Sequence, residues 1–133
     1  MANYIAYART SYFKVKDEKA FLEWVKKYDI EDIWEKDDNG EKMFAMSFGM
    51  HGIPNWDLET DEDVNFAQEL AKHLQEDWAV ELREIGYEKM RYLVGYSIIV
   101  RWDGKEIFVN LDDLGHRAME EWPDLFKLTE PSY

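Results

Sequence analysis

The segment Ile30-Glu31-Asp32-Ile33-Trp34-Glu35-Lys36-Asp37-Asp38-Asn39-Gly40-Glu41-Lys42-Met43-Phe44-Ala45-Met46-Ser47-Phe48 decides the fold class. Asn39-Gly40 is the preferred pair for a tight two-residue turn, because both residues tolerate positive φ. Before it, residues 30–36 alternate loosely, with Ile30 and Trp34 on one face. After it, Phe44, Met46 and Phe48 share one face of a return strand over residues 42–48. A β-hairpin is expected here.

A second hairpin follows the same logic. Tyr92 to Trp102 is a strong strand with apolar residues on both sides: Tyr96, Ile98 and Val100 on one, Leu93 and Ile99 on the other. Apolar side chains on both faces predict a central position in a sheet. Asp103-Gly104 turns this strand into Ile107–Val109. Upstream, Trp78, Val80 and Leu82 alternate with Ala79, Glu81 and Arg83, and Gly86 punctuates the run. Near the N-terminus, Phe13 and Val15 lie on one side of an extended chain, which predicts a strand over residues 10–16.

Three helices complete the pattern. Asp17 caps the first, whose apolar stripe is Ala20, Phe21, Trp24, Val25 and Tyr28. Residues 49–59, with Gly49, Gly52, Pro54 and Trp56, read as a loop. Thr60 and Asp63 then form a capping-box variant ahead of a helix bearing Val64, Ala67, Leu70, Ala71 and Leu74, ending near Gln75–Asp77. Asn110 and Asp113 cap a last helix with Leu111, Leu114, Ala118, Met119 and Trp122, and Pro123 stops it. The tail from Asp124 has no clear pattern. The expectation is one α+β domain over residues 1–133, of order β-α-β-β-α-β-β-β-α, with a largely antiparallel sheet and helices on one face.

Composition limits the functions open to such a domain. The 133 residues are 46% apolar and 16% aromatic, enough for a core. The net charge of −13 argues against the chain itself binding nucleic acid or an anionic membrane. It suits a basic protein surface. With no cysteine, disulfides, thiolate metal sites and Cys nucleophiles are excluded. No basic, apolar leader opens the chain and no apolar run is long enough to span a bilayer, so the cytoplasm is the expected location.

Motifs for catalysis are missing from the sequence. Glu35-Lys36-Asp37-Asp38-Asn39-Gly40 resembles the start of a calcium loop, but the position of the bidentate acid is Met46. His51, His73 and His116 are isolated from one another. There is no Gly-x-Ser-x-Gly, and Gly49-Met50-His51-Gly52 lacks the lysine of a phosphate-binding loop. A carboxylate pair of the glycosidase kind is possible in principle, but the sequence selects none among 29 acids. No enzyme activity, metal or cofactor is expected.

The acids themselves are the unusual feature. Asp17, Glu18, Asp61, Glu62, Asp63, Asp112 and Asp113 fall at expected helix starts, where negative charge complements the helix dipole. Two denser clusters remain. One is Asp29, Glu31, Asp32, Glu35, Asp37, Asp38 and Glu41. The other is Glu62, Glu69, Glu76, Asp77, Glu81, Glu84 and Glu88. Alternate strand residues stand about 6.6 Å apart and helix positions one turn apart about 5–6 Å, near the spacing of phosphates in a nucleic-acid strand. Such carboxylates would compete for a protein's phosphate-binding groove; they serve equally well as a solvated face. The partner-contact candidates on this reading are Asp29, Glu31, Asp32, Glu35, Asp37, Asp38, Glu62, Glu69, Glu76 and Glu84. To these Trp34 is added, because Trp34, Trp56 and Trp102 sit beside turns and suit either a core rim or an interface anchor.

The opening Tyr4-Ile5-Ala6-Tyr7-Ala8-Arg9-Thr10-Ser11-Tyr12-Phe13-Lys14-Val15-Lys16-Asp17, with Ala20-Phe21 and Trp24, resembles small acidic proteins of phages and mobile elements. So do Glu88-Lys89-Met90-Arg91-Tyr92-Leu93-Val94-Gly95-Tyr96 and Leu111-Asp112-Asp113-Leu114. Together these stretches cover about a quarter of the chain. The genre includes anti-CRISPR and antirestriction inhibitors, so the resemblance implies an inhibitor that binds a host-defence nuclease. Three readings follow: acidic mimicry of nucleic acid, a non-mimetic module that holds its partner through an aromatic patch, and a small carboxylate-dependent enzyme.

Overall fold

The Asn39–Gly40 turn forms as its sequence requires, with φ of 53° and 88° at its two residues. It joins β2 (Asp32–Asp38) to β3 (Glu41–Gly49), and Asp38 stands opposite Glu41. The computed structural model describes residues 4–57, 59–88 and 92–124. Lys89, Met90 and Arg91 of the resemblance, and the tail from Leu125, lie outside the described residues.

The fold is α+β. A six-stranded antiparallel sheet runs β2-β3-β1-β6-β7-β8, where β1 is Tyr4–Thr10, β6 Ala79–Glu88, β7 Tyr92–Arg101 and β8 Glu106–Asn110. A small separate hairpin pairs β4 (Trp56–Asp57) with β5 (Glu62–Asp63). The described helices are α1 (Glu18–Val25), α2 (Phe66–Ala71) and α3 (Asp113–Glu121). The β7–β8 turn closes through Arg101 and Lys105, with Gly104 at φ 86°. That matches a three-residue hairpin whose left-handed position takes glycine.

Alternation separates the two faces of the sheet. On β6, Val80, Leu82 and Glu84 are buried, whereas Arg83, Ile85 and Tyr87 are exposed. The inner face, with Phe44, Met46 and Phe48 of β3 and Val100 of β7, meets Phe21, Trp24 and Val25 of α1 and Phe66 and Leu70 of α2. Rings dominate this core: Trp24 stacks on Phe66 at 5.1 Å, and Phe21 meets Phe13 edge-on at 5.6 Å.

Several local expectations are corrected. The first strand is Tyr4–Thr10 and not residues 10–16, because continuous pairing with the neighbouring strands stops after Thr10. Phe13 and Val15 instead form isolated bridges to Phe44 and Leu74, carrying the chain across to the end of α2. Thr60 and Asp63 cap no helix. Buried Asp57 accepts the amides of Glu59 and Thr60 at 2.8 and 3.2 Å, which holds this stretch in the β4–β5 hairpin. Asn65 caps α2 instead, accepting from Gln68 N, and the helix is shorter than the sequence suggests. Asp61, Glu62 and Asp63 therefore lie on the hairpin and not at a helix start. Gly86 does not interrupt β6; it pairs with Ala6 and Val94.

The third helix also departs from the expected packing. Its start is built as the sequence suggests: Asn110 Oδ1 accepts Asp113 N, and Asp113 Oδ2 accepts Asn110 N. However, α3 buries no residue. Its less exposed positions are Asp113 and the small residues Gly115 and Ala118, which leaves Leu114 and Met119, with Trp122 beyond its end, on the solvent side.

Candidate functional site: the open face of the sheet

Among the described residues no helix covers the outer face of β6, β7 and β8. Register brings its side chains together: Tyr87 opposite Leu93, Ile85 opposite Gly95, Ile99 opposite Ile107, and Ser97 opposite Val109. Leu111, just after β8, lays its side chain over Gly95, where a Cβ would stand only 2.9 Å from it. Exposure is high throughout, reaching 70% at Ile107 and 74% at Leu114. Leu93 and Val109 of the same sheet face, and Met119 and Trp122 of the α3 region, are exposed as well. Glu106, Asp112, Glu120 and Glu121 are exposed on the same elements.

Sequence reasoning missed this surface. Its signal was there, in the two-sided apolar pattern of 92–102 and the unbroken Ile107-Phe108-Val109. Such a pattern marks a strand with neighbours on both sides, which β7 has, but it also describes a sheet face left without a covering layer.

The acidic candidates are distributed differently from the two clusters read along the chain. Asp32, Glu35 and Asp37 are exposed on β2, and Asp29 and Glu31 are exposed just before it. The protein's own cations hold several acids of this hairpin. Lys14 Nζ lies 2.6 Å from Glu41 and 3.1 Å from Asp38, and Lys42 Nζ lies 3.1 Å from Glu18 and 3.8 Å from Glu35. Both ammonium groups consequently titrate above their ordinary range, Lys14 chiefly through its bond to Glu41 and Lys42 chiefly through Glu18. Asp29 sits 3.6 Å from His51 Nε2. Trp34 is half-buried beneath the Arg9 guanidinium, 4.7 Å from its ring centroid.

The second cluster does not form one surface. Glu62 is on the β4–β5 hairpin, Glu69 on α2 beside Lys72, and Glu76 in the turn before β6. Glu84 is not a surface residue: it is 7% exposed on the inner face, and its Oε1 accepts Ile53 N at 2.7 Å. The expected helical stripe fails because the chain from 60 to 88 is hairpin, short helix, turn and strand in succession.

Among the described residues no group of three or more His, Asp and Glu is arranged to hold a metal ion. No helix among them is long and apolar enough to cross a membrane. No family model, curated protein or solved structure matches this chain.

Proposed function

We propose that this protein acts by binding another protein, and that the open face of β6–β8 with α3 is the contact surface. The observation that carries this reading is the set of large apolar side chains left in solvent on β7 and β8 and on the α3 region that follows, from Ile99 and Ile107 to Leu114 and Trp122. Contiguous exposed apolar surface of this kind marks interaction sites in soluble proteins. The net charge of −13 selects the partner. It repels a second copy of the chain and favours a protein whose apolar patch is bordered by lysine and arginine. A nucleic-acid-binding nuclease of host defence, the target class that the sequence resemblance implies, carries such surfaces. The action would then be inhibition by occupancy, without catalysis.

A second reading, acidic mimicry by the β2–β3 hairpin, is favoured by the exposure of Asp32, Glu35 and Asp37 along one strand. One experiment separates the two. The tagged protein is offered to purified CRISPR effectors and restriction nucleases, alongside an Ile107→Glu/Leu114→Glu variant and a Glu35→Lys/Asp37→Lys/Asp38→Lys variant. The open-face reading expects the first variant to lose capture by about tenfold or more, as for a central interface residue, and the second to lose far less. The reverse order would assign the contact to the hairpin. Sedimentation of the unmodified protein as a dimer that Ile107→Glu dissociates would make the partner a second copy instead.

A further inference from the structure

A different part of the same outer face holds a cleft of about 600 Å³ between β1, β6 and the turn after β3. Its lining includes Tyr7, Arg9, Ser47, Met50, Arg83 and Ile85. Strand register places Arg9 directly opposite Arg83 on one side and opposite Ser47 on the other. Two arginines thus share one face of neighbouring strands, in a molecule with 29 acids and 16 basic residues. Like charges in directly opposed positions of a sheet repel.

The two arginines are held differently. Arg83 is committed to Glu81, with both Nε and Nη2 bonded to Oε2 at 2.9 and 2.5 Å. Ser97 Oγ donates to the same oxygen, and Ser97 followed by Arg83 holds the Glu81 carboxyl below its usual range. Arg9 spends its Nε on the carbonyl of Thr10 at 3.1 Å, and its guanidinium carbon stands 4.7 Å from the Trp34 ring centroid. Its Nη groups have no hydrogen bond or ion pair among the described residues. The contact with Trp34 and the Nε bond hold the guanidinium in place and leave its Nη donors available, and arginine takes an oxyanion through such donors. Glu31 and His51 also line the cleft, Glu31 against Gly49, where a Cβ would collide with its carboxylate. Tyr7, Met50 and Ile85 supply apolar surface beside the arginines.

We infer that this cleft binds a small organic anion, its oxyanion head on the Nη donors of Arg9, with Arg83 beside it adding positive charge, and its apolar body against Tyr7, Met50 and Ile85. A phosphate monoester and a carboxylate share the required chemistry. The test is NMR titration of the full chain, following arginine Nε–H and backbone amide signals, with phenyl phosphate and phenylacetate in parallel arms and benzamidine as the cationic control. Saturable shifts at Arg9, Arg83 and Ser47 are expected for one or both anions and none for benzamidine. The arm that saturates first identifies the head group. Arg9→Gln should weaken binding about tenfold and Arg83→Gln, whose charge is already paired with Glu81, by less, with the amide spectrum otherwise retained in both, and Lys42→Gln should leave it unchanged. Equal titration of Arg9→Gln and the unmodified protein, shifts confined to other surfaces, or no shifts at millimolar probe would overturn the assignment.

Discussion

Glu84 on β6 reaches the backbone of the loop after β3, its Oε1 accepting the amide of Ile53 at 2.7 Å. The carboxylate lies on the inner face, and a Cβ on Gly52 would stand 2.7 Å from it. Gly52 is at φ 75°, a conformation that disfavours any side chain. A buried amide without an acceptor costs about 1–3 kcal/mol. Glu84→Leu should destabilise the protein by that order in urea denaturation, and Glu84→Gln, which keeps an acceptor, by clearly less. Equal losses would mean the carboxylate acts through charge alone.

Thr10 makes a comparable link on the same inner face, on the neighbouring strand. Pairing of β1 with β3 shifts between Ala8 and Arg9, and buried Thr10 Oγ1 accepts Met46 N at 2.9 Å just past that irregularity. The same hydroxyl donates to Ser11 O at 2.8 Å. Thr10→Val keeps the shape and removes both bonds, with an expected cost of about 1–3 kcal/mol. Thr10→Ser should recover most of it. Measured stability of Thr10→Val within error of the unmodified protein would show that the Met46 amide finds another acceptor.

His73 gives the fold a pH dependence. Its ring stacks on Trp24 at 4.7 Å and meets Phe21 at 6.2 Å. Burial, reinforced by the charge of Lys16, lowers its pKa from the ordinary 6.5. The folded protein therefore holds the imidazole neutral where the unfolded chain has begun to protonate it. The stabilisation is fully present above pH 6.5 and is lost as pH falls from there through the lowered folded-state value. Denaturation midpoints recorded from pH 8 to pH 5 should fall, and His73→Phe should remove part of that slope. An NMR titration placing the His73 midpoint at or above the ordinary value would contradict this account.

Gly95 is the seat of Leu111. Its missing side chain lets the leucine cross β7, and its carbonyl accepts Leu111 N at 2.9 Å. Gly95→Ala should push Leu111 off the strand and loosen the entry to α3. Because Leu111 is itself exposed, the expected stability loss is small, about 1 kcal/mol, the low end for an overpacked site. Faster amide exchange across 111–118 is the specific readout. Unchanged exchange there would show that α3 is positioned by other contacts.

Local chemistry was legible wherever a short-range rule acts alone. Asp17 accepting Ala20 N, the Asn39–Gly40 turn, the Asn110/Asp113 exchange and the stop at Pro123 follow from a few neighbouring residues. Errors arose where two local rules compete or where the outcome depends on distant chain. Thr60-Asp61-Glu62-Asp63 satisfies a helix-start pattern and a turn pattern equally, and the buried Asp57 carboxylate decides for the turn. Phe13 and Val15 look like strand because they are core residues on extended chain, but their partners, Phe44 and Leu74, belong to different elements.

The site was less legible than the fold. Acids counted along the chain carry no information on whether lysines from elsewhere will meet them, and Lys14 reaches Asp38 and Glu41 from outside the hairpin. Apolar stripes such as Leu111, Leu114, Met119 and Trp122 announce that something must cover them, without saying whether the chain itself does. Arg9 and Arg83 lie 74 positions apart, and only strand register makes them neighbours.

The end of the sheet at β8 gives the large negative charge a purpose that needs no partner. Among the described residues β8 has a neighbour only on its β7 side, and its Ile107-Phe108-Val109 centre is exposed. An edge strand of that composition is a template for addition of another strand, the first step of aggregation. Mutual repulsion between copies bearing −13 charges opposes that contact at neutral pH. The acidity then works as a colloidal safeguard for a sticky edge, one that weakens with added salt and disappears as pH approaches the isoelectric point near 4.6.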